Sequence, residues 1–191
     1  MGNTKLNTMT RTTILFIQGG GEGAYEIDRE LVVTLQQALG ETYKIIYPQM
    51  PDETNPDYES WKDTIDNELR KIAGSVILIG HSIGSFLLLK YLLNNTIDKD
   101  LIGLFFISTP FVGARGWQYE GMAINPALYS TSLPAPVFFY HGTDDEMVPF
   151  AHLSLYEKKF PYATFRKIAG RGHQLNNDLS EVVDDIRGLI L

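Results

Sequence analysis

A chain of 191 residues, 44% of them hydrophobic, is the size of one domain with its own core. The net charge is -7 with no basic block, which argues against a nucleic-acid backbone as partner. The absence of cysteine excludes disulfides, thiolate metal sites and a cysteine nucleophile.

Residues 1–12 are polar and lack the apolar stretch of a secretory signal, and Leu6 stands where a myristoylation signal needs Ser or Thr. Every apolar run is too short to span a bilayer, so the expected setting is cytoplasmic, with no membrane partner. A flexible tail is expected over residues 1–11, and a single domain over residues 12–191.

Thr13-Ile14-Leu15-Phe16-Ile17 predicts a buried strand that runs into the tight loop Gln18-Gly19-Gly20-Gly21. Residues 27–39 place Leu31, Val32, Leu35 and Leu39 at helical spacing, with Gly40 as the stop. Residues 43–47 predict a second strand ended by Pro48. Residues 57–73 carry Trp61, Ile65, Leu69 and Ile72 at helical spacing. A third strand is expected over 76–79 and its helix over 83–93. Further strands are predicted at 101–107, 137–140 and 164–168, and helices near 149–160 and 179–189. Strands alternate with helices throughout. That order predicts an α/β fold: a mostly parallel central sheet of about six strands, with helices on both faces. The least regular stretch is residues 110–136, rich in Gly, Pro and aromatics; a loop that long in a compact domain is often functional.

Gly80-His81-Ser82-Ile83-Gly84 lies between the third strand and its helix. G-x-S-x-G in that context is a nucleophile elbow. The sharp turn lifts the serine hydroxyl clear of the sheet, and the glycines leave no side chain to collide with it. The helix that starts there aims free N–H groups at a developing oxyanion. A serine needs a base, and the base needs an orienting acid. In a parallel α/β sheet such groups lie beyond the carboxyl ends of the strands. The fifth strand runs into His141-Gly142-Thr143-Asp144-Asp145-Glu146, and the sixth into Ala169-Gly170-Arg171-Gly172-His173. His173 is the candidate base. His81, His141 and His152 are read as structural, with the His81 ring packed against the fold.

These segments resemble the α/β-hydrolase superfamily, and the likeness runs from Thr12 onward. The compact layout, without a large cap, is similar to small serine hydrolases of the retinoblastoma-binding type. The resemblance implies a catalytic Ser82, Asp145 and His173. The acid falls on Asp145 rather than Asp144 because the family's G-x-x-D-x-x-V-P pattern lands there on Gly142 to Pro149. It implies an oxyanion hole from the backbone N–H groups of Ile83 and Gly20, with Gly21 in reserve. Members often begin the first loop with His-Gly where this chain has Gln18-Gly19, and their opening antiparallel strands are not expected here. Gly21, Phe111, Trp117 and Tyr119 are candidates to line the substrate pocket, with core packing as the alternative for the aromatics.

The implied activity is hydrolysis of an ester or thioester of a small to medium acyl group through an acyl-enzyme, with no metal site and no cofactor. Asp145 beside His173 is expected to move the histidine pKa upward. Two rivals exist. One is a hydrolase fold whose main role is binding a partner. The other is a Rossmann-type dinucleotide site, since Gly19-x-Gly21-x-x-Ala24 fits its fingerprint. The second strand ends Ile45-Ile46-Tyr47-Pro48, without the acid that such a site uses for ribose.

Overall fold

The computed structural model describes residues 11–114, 117–118 and 121–190; the expected tail and Tyr119 lie outside them, the tail apart from Arg11. Six strands, β1 (Thr12–Ile17), β2 (Tyr43–Ile46), β3 (Val76–His81), β4 (Leu101–Ile107), β5 (Val137–Gly142) and β6 (Thr164–Ile168), form one sheet. All pairings are parallel and the order is β2-β1-β3-β4-β5-β6. The helices are α1 (Ala24–Leu39), α2 (Tyr58–Lys71), α3 (Ser82–Asn94), α4 (Ala151–Lys159) and α5 (Ser180–Gly188).

The central strands are apolar on both faces because helices cover both. Side chains alternate between two cores, as the two-residue period of a strand requires. Leu15, Ile17, Leu78, Phe106 and Phe139 join Trp61 of α2, Phe86 of α3 and Tyr156 of α4 on one side. Ile14, Phe16, Ile77, Ile79, Phe105 and Tyr140 join Leu31 and Leu35 of α1 and Val182 and Ile186 of α5 on the other.

Several ends differ from the pattern-based reading. β3 and β5 run two residues further, to His81 and Gly142, because parallel partners continue beside them: His81 opposite Ile107 and Gly142 opposite Ile168. α1 starts three residues earlier than its apolar spacing indicates. Its first N–H groups are satisfied from a distance: the Glu53 carboxylate accepts from Gly23 N (3.0 Å) and Tyr25 N (2.8 Å).

β1 and β3 are neighbours, yet α1 leaves β1 toward one face and α3 leaves β3 toward the other. The loops after these strands therefore diverge and open a crevice at the carboxyl end of the sheet, the place where α/β sheets bind ligands.

Candidate active site

Ser82 is the first residue of α3, and its backbone is left-handed at φ 52°. For a residue with a Cβ that conformation costs about 1–2 kcal/mol, so the surroundings must enforce it. Gly80 and Gly84 make the enforcement sterically possible. A Cβ on Gly80 would lie 2.6 Å from Ser85 Cα, and one on Gly84 would lie 1.8 Å from the Gln18 carbonyl oxygen. Strand, elbow and first loop are thus packed backbone to backbone. Ile83 occupies the second helical position, where an N–H has no intrahelical acceptor.

The first loop is held by side chains that its own sequence does not announce. Gln18 is fully buried; its Nε2 donates to Glu53 Oε2 (2.8 Å) and its Oε1 accepts from Met50 N (3.0 Å). Gly19 N donates to Asp28 Oδ2 (2.6 Å). Gly20 N has no acceptor among the described residues, and a Cβ there would sit 2.6 Å from Ile83 Cγ2, so only glycine brings this N–H beside the elbow. Gly21 does not serve as the reserve donor: its N–H is committed to the Glu53 carbonyl oxygen (2.5 Å). Glu53→Ala is expected to lower unfolding stability by about 2–3 kcal/mol, since it strands buried donors of a charge-assisted network. Urea denaturation followed by tryptophan fluorescence measures it.

After β5 the chain turns so that the Asp145 side chain is fully buried and Asp144 is exposed. Asp145 Oδ1 accepts from Met147 N (2.9 Å) and Val148 N (2.7 Å). His173 Nδ1 lies 3.1 and 2.9 Å from its two carboxylate oxygens. His141 Nε2 is 3.1 Å from Asp145 Oδ2 and 3.0 Å from the Val148 carbonyl oxygen, so it carries a proton and donates. His141 therefore braces the acid, a role its position at a strand end did not reveal. Burial alone would raise the Asp145 pKa, but the hydrogen bonds from His141 and His173 outweigh it and hold the carboxyl far below the usual range. Among the described residues the Asp144 carboxylate accepts only from the neighbouring Thr143 hydroxyl (2.7 Å). Gly142 allows this junction: a Cβ there would come within 2.1 Å of the Arg171 carbonyl oxygen in the loop that carries His173.

With Nδ1 on Asp145, His173 keeps Nε2 without a protein partner among the described residues. Ser82 Oγ makes no hydrogen bond there either; such contacts are often long before substrate binds and tighten in the complex. The two residues are linked through His81, the immediate neighbour of Ser82, whose ring centroid is 4.8 Å from that of His173. The His173 pKa is lowered, contrary to the upward shift expected from its acid: burial penalises the cation more than Asp145 rewards it, and His81 adds to the lowering.

A cavity of about 1100 Å³ opens beside Ser82, Gly20, Gly21 and Ile83, with Trp117 and Met122 over it. Phe111 does not line it. Its ring packs on Tyr156 (5.1 Å) and Tyr129 (5.9 Å), and its N–H donates to His152 Nδ1 (3.0 Å), so the core-packing alternative holds for this aromatic. Among the described residues no helix is long and apolar enough to cross a membrane.

Residues 33–179 match a family model described as serine hydrolase. No curated protein matches the chain significantly by sequence. Solved structures do match in fold. The ydeN gene product of B. subtilis superposes with a TM-score of 0.75 at 18% identity, over 94% of this chain and 98% of its own. SOBER1 of Arabidopsis thaliana gives 0.69 at 18% identity, over 95% and 100%. Est1E of Butyrivibrio proteoclasticus gives 0.72 at 15% identity, over 97% and 89%, and has also been solved with ferulic acid bound.

Proposed function

The chain belongs to the serine hydrolase family, and from that premise we propose that it cleaves an ester or thioester of a small to medium acyl group through an acyl-enzyme on Ser82. The observation that carries the proposal is one arrangement. A left-handed serine at a helix N-terminus is joined through its neighbour His81 to a histidine whose Nδ1 is held by a buried carboxylate and whose Nε2 has no partner among the described residues. Nε2 of neutral His173 takes the Ser82 proton as Oγ attacks the carbonyl carbon. Asp145 fixes the ring and stabilises the imidazolium that forms. The N–H groups of Gly20 and Ile83 receive the oxyanion, and the imidazolium returns its proton to the leaving group. Water then repeats the sequence on the acyl-enzyme and frees Ser82. Covalent labelling by a fluorophosphonate probe, absent in Ser82→Ala, tests the nucleophile directly.

The lowered His173 pKa gives the pH dependence its sign. Only the neutral ring accepts a proton, so kcat/KM rises with pH through a value below the ordinary histidine pKa of about 6.5 and is level above neutrality. A limb centred above about pH 7 contradicts this account.

Trp117 lies on the cavity wall and presents apolar area to an acyl chain, worth about 25 cal/mol per Å² covered. Trp117→Ala is expected to raise KM for medium-chain and aromatic acyl esters about tenfold while changing acetate ester turnover little, the pattern of lost uniform binding. A series of p-nitrophenyl esters reads this out, and the ferulic acid bound to Est1E makes a feruloyl ester a useful member of the set. Equal effects on all chain lengths place the acyl pocket elsewhere.

A further inference from the structure

His81 presents both ring nitrogens to acceptors. Nδ1 is 2.8 Å from Asp28 Oδ2, and Nε2 is 3.2 Å from the carbonyl oxygen of His173. A neutral imidazole has one N–H and would turn a lone pair toward one of these oxygens; the imidazolium donates to both. Bulk water does not relieve the mismatch, because His81 and Asp28 are each only 1% exposed. Asp28 is equipped to remain an anion: besides His81 it accepts from Gly19 N (2.6 Å) and, on Oδ1, from Gln174 Nε2 (3.0 Å). Burial alone would push His81 down and Asp28 up. Facing each other, His81 ends above its ordinary pKa and Asp28 below.

The catalytic mechanism uses neither side chain, yet the pair lies against its base. The His173 carbonyl accepts from His81 Nε2 and from the Ser108 hydroxyl (2.8 Å) at the end of β4. On the other flank, His173 N donates to Glu146 Oε2 (3.2 Å), and the ring meets Asp145, itself braced by His141. The charged groups that face His173 are therefore Asp28 behind His81 from α1, His81 from β3, and Asp145 and Glu146 from the loop after β5. Of these, only His81 can carry a positive charge.

We propose that His81, kept as an imidazolium by the buried carboxylate of Asp28, is a positioning residue for His173 that anchors its backbone carbonyl and holds its ring in the proton-accepting form at acidic pH. The two rings are 4.8 Å apart, close enough for one charge to oppose a second. The arrangement has a cost in the opposite direction, since His173 must become a cation during proton transfer. Asp145 offsets that cost. The pair thus extends the acidic range of the enzyme at the expense of its ceiling rate. This inference rests on the reading of His173 as general base only where rates are concerned.

The test has two arms. In the first, ¹⁵N-histidine NMR on the wild-type protein reads protonation without turnover. Both His81 nitrogens are expected to stay protonated at pH 7, while His173 titrates below about 6.5. A neutral His81 tautomer at pH 7 overturns the proposal, whatever the enzyme does to esters. In the second arm, Asp28→Asn removes the counter-charge, and His81→Gln keeps an N–H toward the His173 carbonyl while removing the cation. Both are expected to raise the acid limb of kcat/KM, and the NMR titration of His173, by about half a pH unit or more. If both variants fold and lose rate equally at every pH with the limb unmoved, the pair is merely structural and the proposal fails. If the variants do not fold, the wild-type NMR decides alone. If no ester is turned over but the His173 titration still shifts, the electrostatic inference stands and the function proposed above falls.

Discussion

Ser82→Ala is expected to lower kcat for ester hydrolysis by about 10⁴-fold or more while leaving the protein folded. The expectation of a large loss comes from the way the site is divided. In the proposed mechanism His173 and Asp145 serve one alkoxide, so removing the hydroxyl would idle both, and what would survive is oxyanion stabilisation and binding. The expectation of an intact fold comes from the hydroxyl's isolation: Ser82 Oγ has no hydrogen-bond partner among the described residues, so its removal strands nothing. The comparison with Ser82→Gly adds a second readout. Glycine accepts the 52° φ without penalty, so Ser82→Gly is expected to be inactive and no less stable than Ser82→Ala, with a gain of up to about 1 kcal/mol from relieved strain. Thermal denaturation beside p-nitrophenyl acetate kinetics measures both. Wild-type turnover in either variant removes Ser82 from the chemistry.

Asp145→Asn is expected to cost about 10³–10⁴-fold in kcat, and Asp144→Asn less than about threefold. An amide at 145 that keeps its oxygen toward Met147 N and Val148 N turns its NH2 toward His141 Nε2, itself a donor, and invites the wrong His173 tautomer. The same clash predicts a loss of stability at 145 that Asp144, whose exposed carboxylate accepts from the Thr143 hydroxyl, does not show. Circular dichroism separates the two contributions. Comparable rate losses at both positions would mean that the acid has been misassigned.

The strand and helix order was legible because each core strand is a continuous apolar run, and α1, α2 and α5 carry their apolar residues on one face. α3 is buried nearly all round and was read from its apolar run. The elbow was legible because its glycines are local: Gly80 and Gly84 stand within two residues of Ser82, and the contacts that forbid a Cβ there follow from the turn itself. The supports of the site were not legible. Glu53 holds a loop some thirty residues away, Asp28 reaches His81 from a different helix, and His141 braces Asp145 from the strand before it. Each is an ordinary polar residue whose partner is chosen by tertiary approach. The sign of the His173 shift failed for the same reason. An adjacent acid can be read from a motif, whereas the depth of burial that outweighs it is a property of the packed molecule.

The segment over the cavity is fastened at several points to the framework beneath it. Pro110 O accepts from the Tyr156 hydroxyl (2.8 Å), Gly121 O from Lys90 Nζ (2.6 Å), and Leu133 N donates to the Tyr162 hydroxyl (3.1 Å). Lys90 belongs to the same helix that begins at Ser82, and its ammonium lies 4.3 Å above the Tyr58 ring of α2. Between these rivets, residues such as Met122, Ala123 and Asn125 border the cavity without belonging to the sheet or its helices. The molecule is therefore divisible into a chassis that must be kept and a panel that can be exchanged. Met122 is packed into the core, whereas Ala123 is exposed, so under the proposed function selectivity would be open to change by short replacements at the exposed panel positions between fixed anchors, with no need to redesign the proposed hydrolytic centre.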